Sequence, residues 1–205
     1  MEDSIAVHYW PESIASIPVN QNLIIIGVRT PPTTIRTQAR KLIRIALKQI
    51  LAAKLACPVT EIKLSTQAGQ GLKLLQPKQT IGISVSHDSG LSLVAINMNG
   101  RVGIDLIDIK TVPNDNEIYK LANDYLGVKT AEYLINLPPE QQKLAFAESW
   151  TEFEALLKYQ EKNLREYDSS NVLQTSNLIA KQLAMPKGYI GKVVFSESLT
   201  TPEPD

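Results

Sequence analysis

Two segments constrain this chain more than any other part of it. Val102-Gly103-Ile104-Asp105-Leu106-Ile107 is an apolar run that carries one carboxylate, and it reads as a buried strand. Residues 148–158 read as a helix in which Trp150, Glu154 and Lys158 stand at i, i+4 and i+8, near one face. A carboxylate in an apolar strand is costly unless it is paired or holds a cation. Two such carboxylates, with a lysine one turn beyond the second, point to a divalent metal and a phosphate-bearing ligand.

The charge balance narrows the partners. Lys and Arg together number 21, and so do Asp and Glu, so no global basic field favours nucleic acid. The basic residues are nevertheless uneven. Arg29, Arg36, Arg40, Lys41, Arg44, Lys48 and Lys54 crowd the first quarter, where the nearby acids are Glu2, Asp3 and Glu12. This region is suited to an anionic ligand, and a solvated helix face accounts for it equally well. The 205 residues suffice for one large domain or two small halves with a substantial core. Cys57 is the only cysteine, which excludes an internal disulfide and suits a reducing compartment. No basic segment followed by a long apolar stretch opens the chain, and the apolar runs fall far short of the ~18 residues a membrane span needs. A cytoplasmic protein is expected.

The periodicity predicts an order of elements. Residues 23–28 form a continuous apolar run and read as a buried strand. Pro31 and Pro32 end it, and Thr33 or Thr34 is expected to cap a helix to about residue 56. Its arginines 36, 40 and 44 recur every four residues beside the apolar stripe. Residues 61–65 alternate like a strand, 68–71 read as a turn, and 81–86 and 91–97 read as strands. His87 falls at a strand end, in a loop with Asp88, Ser89 and Gly90, a usual place for a binding group on a rigid scaffold. Asn99-Gly100 is a hairpin signal, so residues 101–109 are expected to pair back on 91–97. Helical stretches follow over 113–125 and 130–136. A long helix then opens at Pro138-Pro139, where proline belongs. Residues 162–176 are expected as loop, 190–195 as a last strand, and the tail from about residue 197 without order. The fold class is α+β. Each half, 1–100 and 101–205, is expected to hold a small antiparallel sheet packed with a long helix, in a pseudo-duplicated arrangement.

Val85-Ser86-His87, Val102-Gly103-Ile104-Asp105 and Trp150-Thr151-Glu152-Phe153-Glu154-Ala155-Leu156-Leu157-Lys158, in this order and spacing, resemble the motifs of the 4'-phosphopantetheinyl transferases. The likeness is to the larger, two-half (surfactin-synthetase-activating) class, and it covers roughly residues 35–165. That family moves the phosphopantetheine arm of coenzyme A onto a carrier-protein serine and releases 3',5'-ADP. The resemblance implies that Asp105 and Glu154 hold Mg²⁺. It implies that Glu154 also helps deprotonate the serine, and that Lys158 contacts the diphosphate. Ser86, His87 and Arg40 are implied on the nucleotide end of coenzyme A, with His87 near the 3'-phosphate. The implied partners are coenzyme A and an acyl or peptidyl carrier protein, with no nucleic acid and no membrane, and a monomer is expected.

The chain also departs from the family pattern. The second carboxylate of the strand motif, two residues after the aspartate, is Ile107 here. Residue 107 shares a strand face with Asp105, whereas Asp108 points the other way. A G-K-P motif is replaced by Gln70-Gly71-Leu72-Lys73, and the G-x-G after the motif lysine by Glu161-Lys162-Asn163. Two alternatives follow. One is a divergent coenzyme A-binding homologue with weak or no transfer. The other is a structural protein in which Asp105, Glu154 and Lys158 form a buried ion-pair network.

Overall fold

The computed structural model describes residues 4–65, 71–168 and 177–196. The first β-layer is a four-stranded sheet in the order β1-β2-β6-β5. It comprises β1 (His8–Trp10), β2 (Leu23–Arg29), β5 (Gly82–Asp88) and β6 (Leu91–Asn97). β1 runs parallel to β2, and the other pairs are antiparallel. The second layer is a three-stranded antiparallel sheet, β7-β9-β8, of β7 (Val102–Asp108), β8 (Ile179–Gln182) and β9 (Tyr189–Phe195). A two-stranded ribbon of β3 (Lys63–Leu64) and β4 (Leu74–Gln76) completes the strands. The helices are α1 (Arg36–Lys54), α2 (Asp115–Leu121), α3 (Val128–Ile135) and α4 (Pro139–Tyr159).

Side-chain alternation stacks these layers. On β2, Ile24, Ile26 and Val28 face α1 and pack on Ile43, Leu47, Ile50 and Leu51. Ile25 of the same strand points the other way, into a second cluster with Leu93, Ile104, Leu106 and Val193. The first sheet is therefore buried on both faces. This explains why β2 is a near-continuous apolar run rather than an alternating one, and why β6 is buried along its whole length. On β7, residues 102, 104 and 106 enter that inter-sheet cluster. The opposite parity, Gly103, Asp105 and Ile107, is left for the α4 side. Gly103 lies directly under α4: a Cβ there would meet Ala155 O, and would stand 2.5 Å from Tyr159 N.

The architecture is mixed α+β with small antiparallel sheets and four α-helices among the described residues. The two sheets differ in strand number and order, so they do not establish a duplication. Several expectations need correction. Residues 101–109 do not pair back on β6; β7 pairs with β9. Both edges of β6 are already taken, by β2 and by β5, so it has no free ladder to offer. α1 starts at Arg36, and its N-cap is Ile35, with no side-chain cap. Thr34 N–H donates instead to Pro31 O within the preceding turn. Most of the strand expected at 61–65 is absent: Val59–Glu61 form a 3₁₀ turn and only two residues pair. His87 lies within β5, not in a loop. The helix expected over 113–125 is α2 followed by a π turn, Ala122–Leu126. Residues 162–168 carry no helix or strand. The rest of the loop expected to residue 176, most of the turn at 68–71 and the tail from 197 lie outside the described residues. Among the described residues, no helix is long and apolar enough to cross a membrane.

Candidate active site

A cleft of ≈ 410 Å³ opens where β5, β7 and α4 meet, with Arg36 of α1 at its edge. Ser86, His87, Asp105, Glu154 and Lys158 all line it, together with Ile107 and Trp150. The close approach at Gly103 brings β7 against the last turns of α4, and so carries Asp105 to Lys158. Lys158 Nζ stands 2.7 Å from Asp105 Oδ1 and donates also to Ile104 O at 3.1 Å. It sits in the last turn of its helix, where the axial dipole favours a cation. Asp105 is 7 % exposed. Its Oδ1 accepts a second hydrogen bond, from Ser86 Oγ at 2.6 Å. Bonds of this kind offset the cost of burying a carboxylate in an apolar strand.

Glu154 is one helical turn before Lys158. Its carboxyl is pushed above the usual range by burial and by the nearby Asp105 charge, and Lys158 partly offsets this. Two carboxylates and one ammonium thus line the same cleft, the ammonium paired with Asp105. Among the described residues no three His, Cys, Asp or Glu side chains cluster closely enough to hold an ion together. The cleft offers two carboxylates, Asp105 and Glu154, and Mg²⁺ is usually held by one or two carboxylates together with phosphate oxygens and waters. Trp150 is fixed by stacking on Phe146 at 5.5 Å and by an edge contact with Tyr125 at 5.8 Å.

The opposite wall is cationic. His87 Nδ1 is 2.7 Å from Ser92 Oγ, its cross-strand neighbour on β6. Burial is the main cause that pushes the imidazole down to about 4, and the charges of Arg36, Arg40 and Lys158 add to it. His87 is therefore neutral at physiological pH, inside a field that welcomes an anion. Arg40 does not line the cleft; Arg36, one turn earlier on the same stripe, does. Lys73 is also outside it and pairs with Glu161 at 3.3 Å on the surface. The cleft adds Asp88 and Thr111 to the residues legible in sequence. Asp88 directly follows His87, while nothing in the sequence marks Thr111. A larger hollow of ≈ 840 Å³ flanks α4 on another face, around Tyr133, Phe153 and Tyr167. It contains none of the candidate residues.

No protein-family model matches the chain. It is 27% identical over 117 residues to a Synechocystis sp. protein provisionally named a 4'-phosphopantetheinyl transferase, covering 56% of this chain and 46% of that one. It is 28% identical over 103 residues to the 4'-phosphopantetheinyl transferase HetI of Nostoc sp., covering 50% and 42%. The chain spans less than half the length of either of these curated relatives. At that identity and coverage, the similarity supports the phosphopantetheinyl transferase superfamily, and no particular class within it.

Proposed function

We propose that this chain transfers the 4'-phosphopantetheine arm of coenzyme A to a serine of an acyl or peptidyl carrier protein, with Mg²⁺, in the manner of the larger two-half class. The observation that carries the reading is the meeting in one cleft of a carboxylate pair, a lysine and a cationic wall: Asp105 and Glu154, Lys158, and His87 with Arg36. Asp105 and Glu154 would hold the metal, which when bound supplies charge neutralisation to the diphosphate. Lys158 adds a point charge where negative charge gathers on the departing bisphosphate. Neutral His87, with Arg36 and Arg40 behind it, faces the 3'-phosphate. Glu154, whose carboxyl is raised by burial and by Asp105, takes the proton of the attacking serine hydroxyl. The serine oxygen forms a bond to the phosphorus nearer the pantetheine, the P–O bond to the nucleotide breaks, and 3',5'-ADP leaves.

A second reading is a divergent coenzyme A-binding homologue with little transfer. Ile107, in place of a third acidic group, and Lys73, engaged by Glu161, favour it. Mass spectrometry of an apo carrier protein incubated with coenzyme A and Mg²⁺ separates the two. Transfer predicts the mass gain of one phosphopantetheine arm. Asp105→Ala, still folded by circular dichroism, is expected to lower the rate by ~10²-fold or more. No mass gain with the wild type, alongside intact coenzyme A binding, would establish the second reading instead.

A further inference from the structure

Strands β5 and β7 run side by side without a main-chain ladder. Their contacts are made by side chains. Ser84 Oγ accepts from Ile104 N–H at 3.1 Å, Ser86 Oγ donates to Asp105 Oδ1 at 2.6 Å, and Asp88 Oδ2 accepts from Asp108 N–H at 2.6 Å. The sequence offsets are nearly constant, so the strands run in parallel. The three β5 residues alternate along the strand and share one face. The two serines are buried, at 7% and 6% exposure. Asp88 is the open end of this seam and lines the cleft. One further bond reaches it, from the Thr111 hydroxyl 3.3 Å from Asp88 Oδ2, and Tyr189 Oη donates to the O of the next residue, Ser89.

The seam matters because the two walls of the cleft belong to different sheets. His87 is fixed to the first sheet through Ser92, and Asp105 rides on β7 of the second. A ligand that touches both needs the two sheets at one separation. We propose that Asp88 is a positioning residue: its carboxylate oxygen, acting as an acceptor for Asp108 N–H, clamps β7 to β5 and sets the distance between the anion wall at His87 and the carboxylate wall at Asp105. Asp88 is not a replacement for the acidic group missing at Ile107. It forms no ion-holding cluster with Asp105 and Glu154, and the oxygen it presents to β7 is already engaged by an amide. The role depends on its geometry as an acceptor and not on its charge. The ligand-binding consequence rests on the proposed function; the clamp itself does not.

Charge and geometry separate in two variants. Asp88→Asn keeps an oxygen acceptor and loses the charge, while Asp88→Ala loses both. Amide hydrogen exchange on the full chain reads the clamp directly. In Asp88→Ala, protection at the Asp108 and Ile104 amides is expected to fall ~10-fold or more, and in Asp88→Asn it is expected to hold. Calorimetric titration of coenzyme A with Mg²⁺ reads the consequence. Affinity is expected to fall ~10–100-fold in Asp88→Ala, as for lost outer-shell orientation, and to stay within ~3-fold of wild type in Asp88→Asn. Equal loss of affinity in both variants, with protection kept in Asp88→Asn, would make Asp88 a charged ligand and overturn the proposal. Lost protection at Asp108 without change at Ile104 or in affinity would reduce the contact to a local bond and also overturn it. If wild type binds no coenzyme A, the proposed function fails, and the exchange pattern at Ile104 still decides whether Asp88 holds the seam.

Discussion

Gly103→Ala is expected to loosen the site from behind. A Cβ at this position would sit inside the contact shell of Ala155 O, 2.5 Å from Tyr159 N and 3.0 Å from Ala155 C. All three are backbone atoms of α4 or its end, so no side chain can rotate away. Ordinary contact begins at 3.4 Å, so helix and strand must part by about 1 Å or more, the kind of overpacking that costs roughly 1–3 kcal/mol and sometimes more. A backbone-on-backbone clash belongs at the upper end of that range. Restricting the unfolded chain returns about 0.5–1 kcal/mol, which leaves a net loss of about 2 kcal/mol. With a urea slope of about 2 kcal/mol/M, the midpoint should fall by roughly 1 M. The same displacement would stretch the Lys158 to Asp105 contact from 2.7 Å past ordinary hydrogen-bond reach, about 3.2 Å. Urea denaturation of Gly103→Ala against Gly71→Ala is the assay. Gly71 has open space where its Cβ would go, so its variant should change the midpoint little or raise it. An unchanged midpoint for Gly103→Ala would refute the close approach of β7 and α4 on which the Asp105 to Lys158 contact depends.

Two further outcomes test the walls of the cleft. His87 has a folded pKa near 4 against an ordinary 6.5, so the unfolded chain binds the extra proton between these values and stability should fall as pH drops through that window, with no His87 contribution above it. The ring is only half-buried, so the effect is on the order of 1–2 kcal/mol after solvent screening; the wild-type minus His87→Asn difference in unfolding free energy should be flat above pH 6.5 and slope below it, and a flat difference throughout would remove the depressed imidazole. Ile107→Glu places a second carboxylate on the Asp105 face of β7, and it should tighten Mg²⁺ binding in the presence of coenzyme A, at a stability cost of about 1–3 kcal/mol for a carboxylate set beside apolar neighbours. Calorimetric Mg²⁺ titration with and without coenzyme A reads it; a folded variant with no gain in affinity would show that position 107 does not face the metal.

Much of the fold was legible where burial is two-sided or where a helix is punctuated. β2 is a near-continuous apolar run because clusters press on both faces, and α4 opens at the proline its first turn tolerates. Pairing was not legible. The apolar run at residues 102–107 marks a strand but not its partner, and the partner β9 lies some eighty residues downstream. The Asn99-Gly100 signal describes a tight reversal, and the chain does reverse there, yet β6 had already spent both edges. β1 and β8 were missed because His8–Trp10 and Ile179–Gln182 are too short to show a period.

The site divides in the same way, between chemistry that is visible in one residue and geometry that needs the fold. Asp105 stands out because a carboxylate in an apolar strand demands partners, and the partners exist. The arginine stripe could not say which turn reaches the cleft, since residues four apart are equivalent on a helix. The answer depends on where α1 starts. It starts at Arg36, whose turn is nearest the cleft, while Arg44 is already committed to Ser65 O at 2.8 Å. Ser86-His87 carries the sharper lesson. As a sequence pair both residues suggest one ligand contact. On a strand, neighbours point to opposite faces. Ser86 turns to β7 and orients the Asp105 carboxylate, and His87 turns to Ser92 within the field of the α1 arginines. Two adjacent residues of one strand thus serve two walls of one cleft.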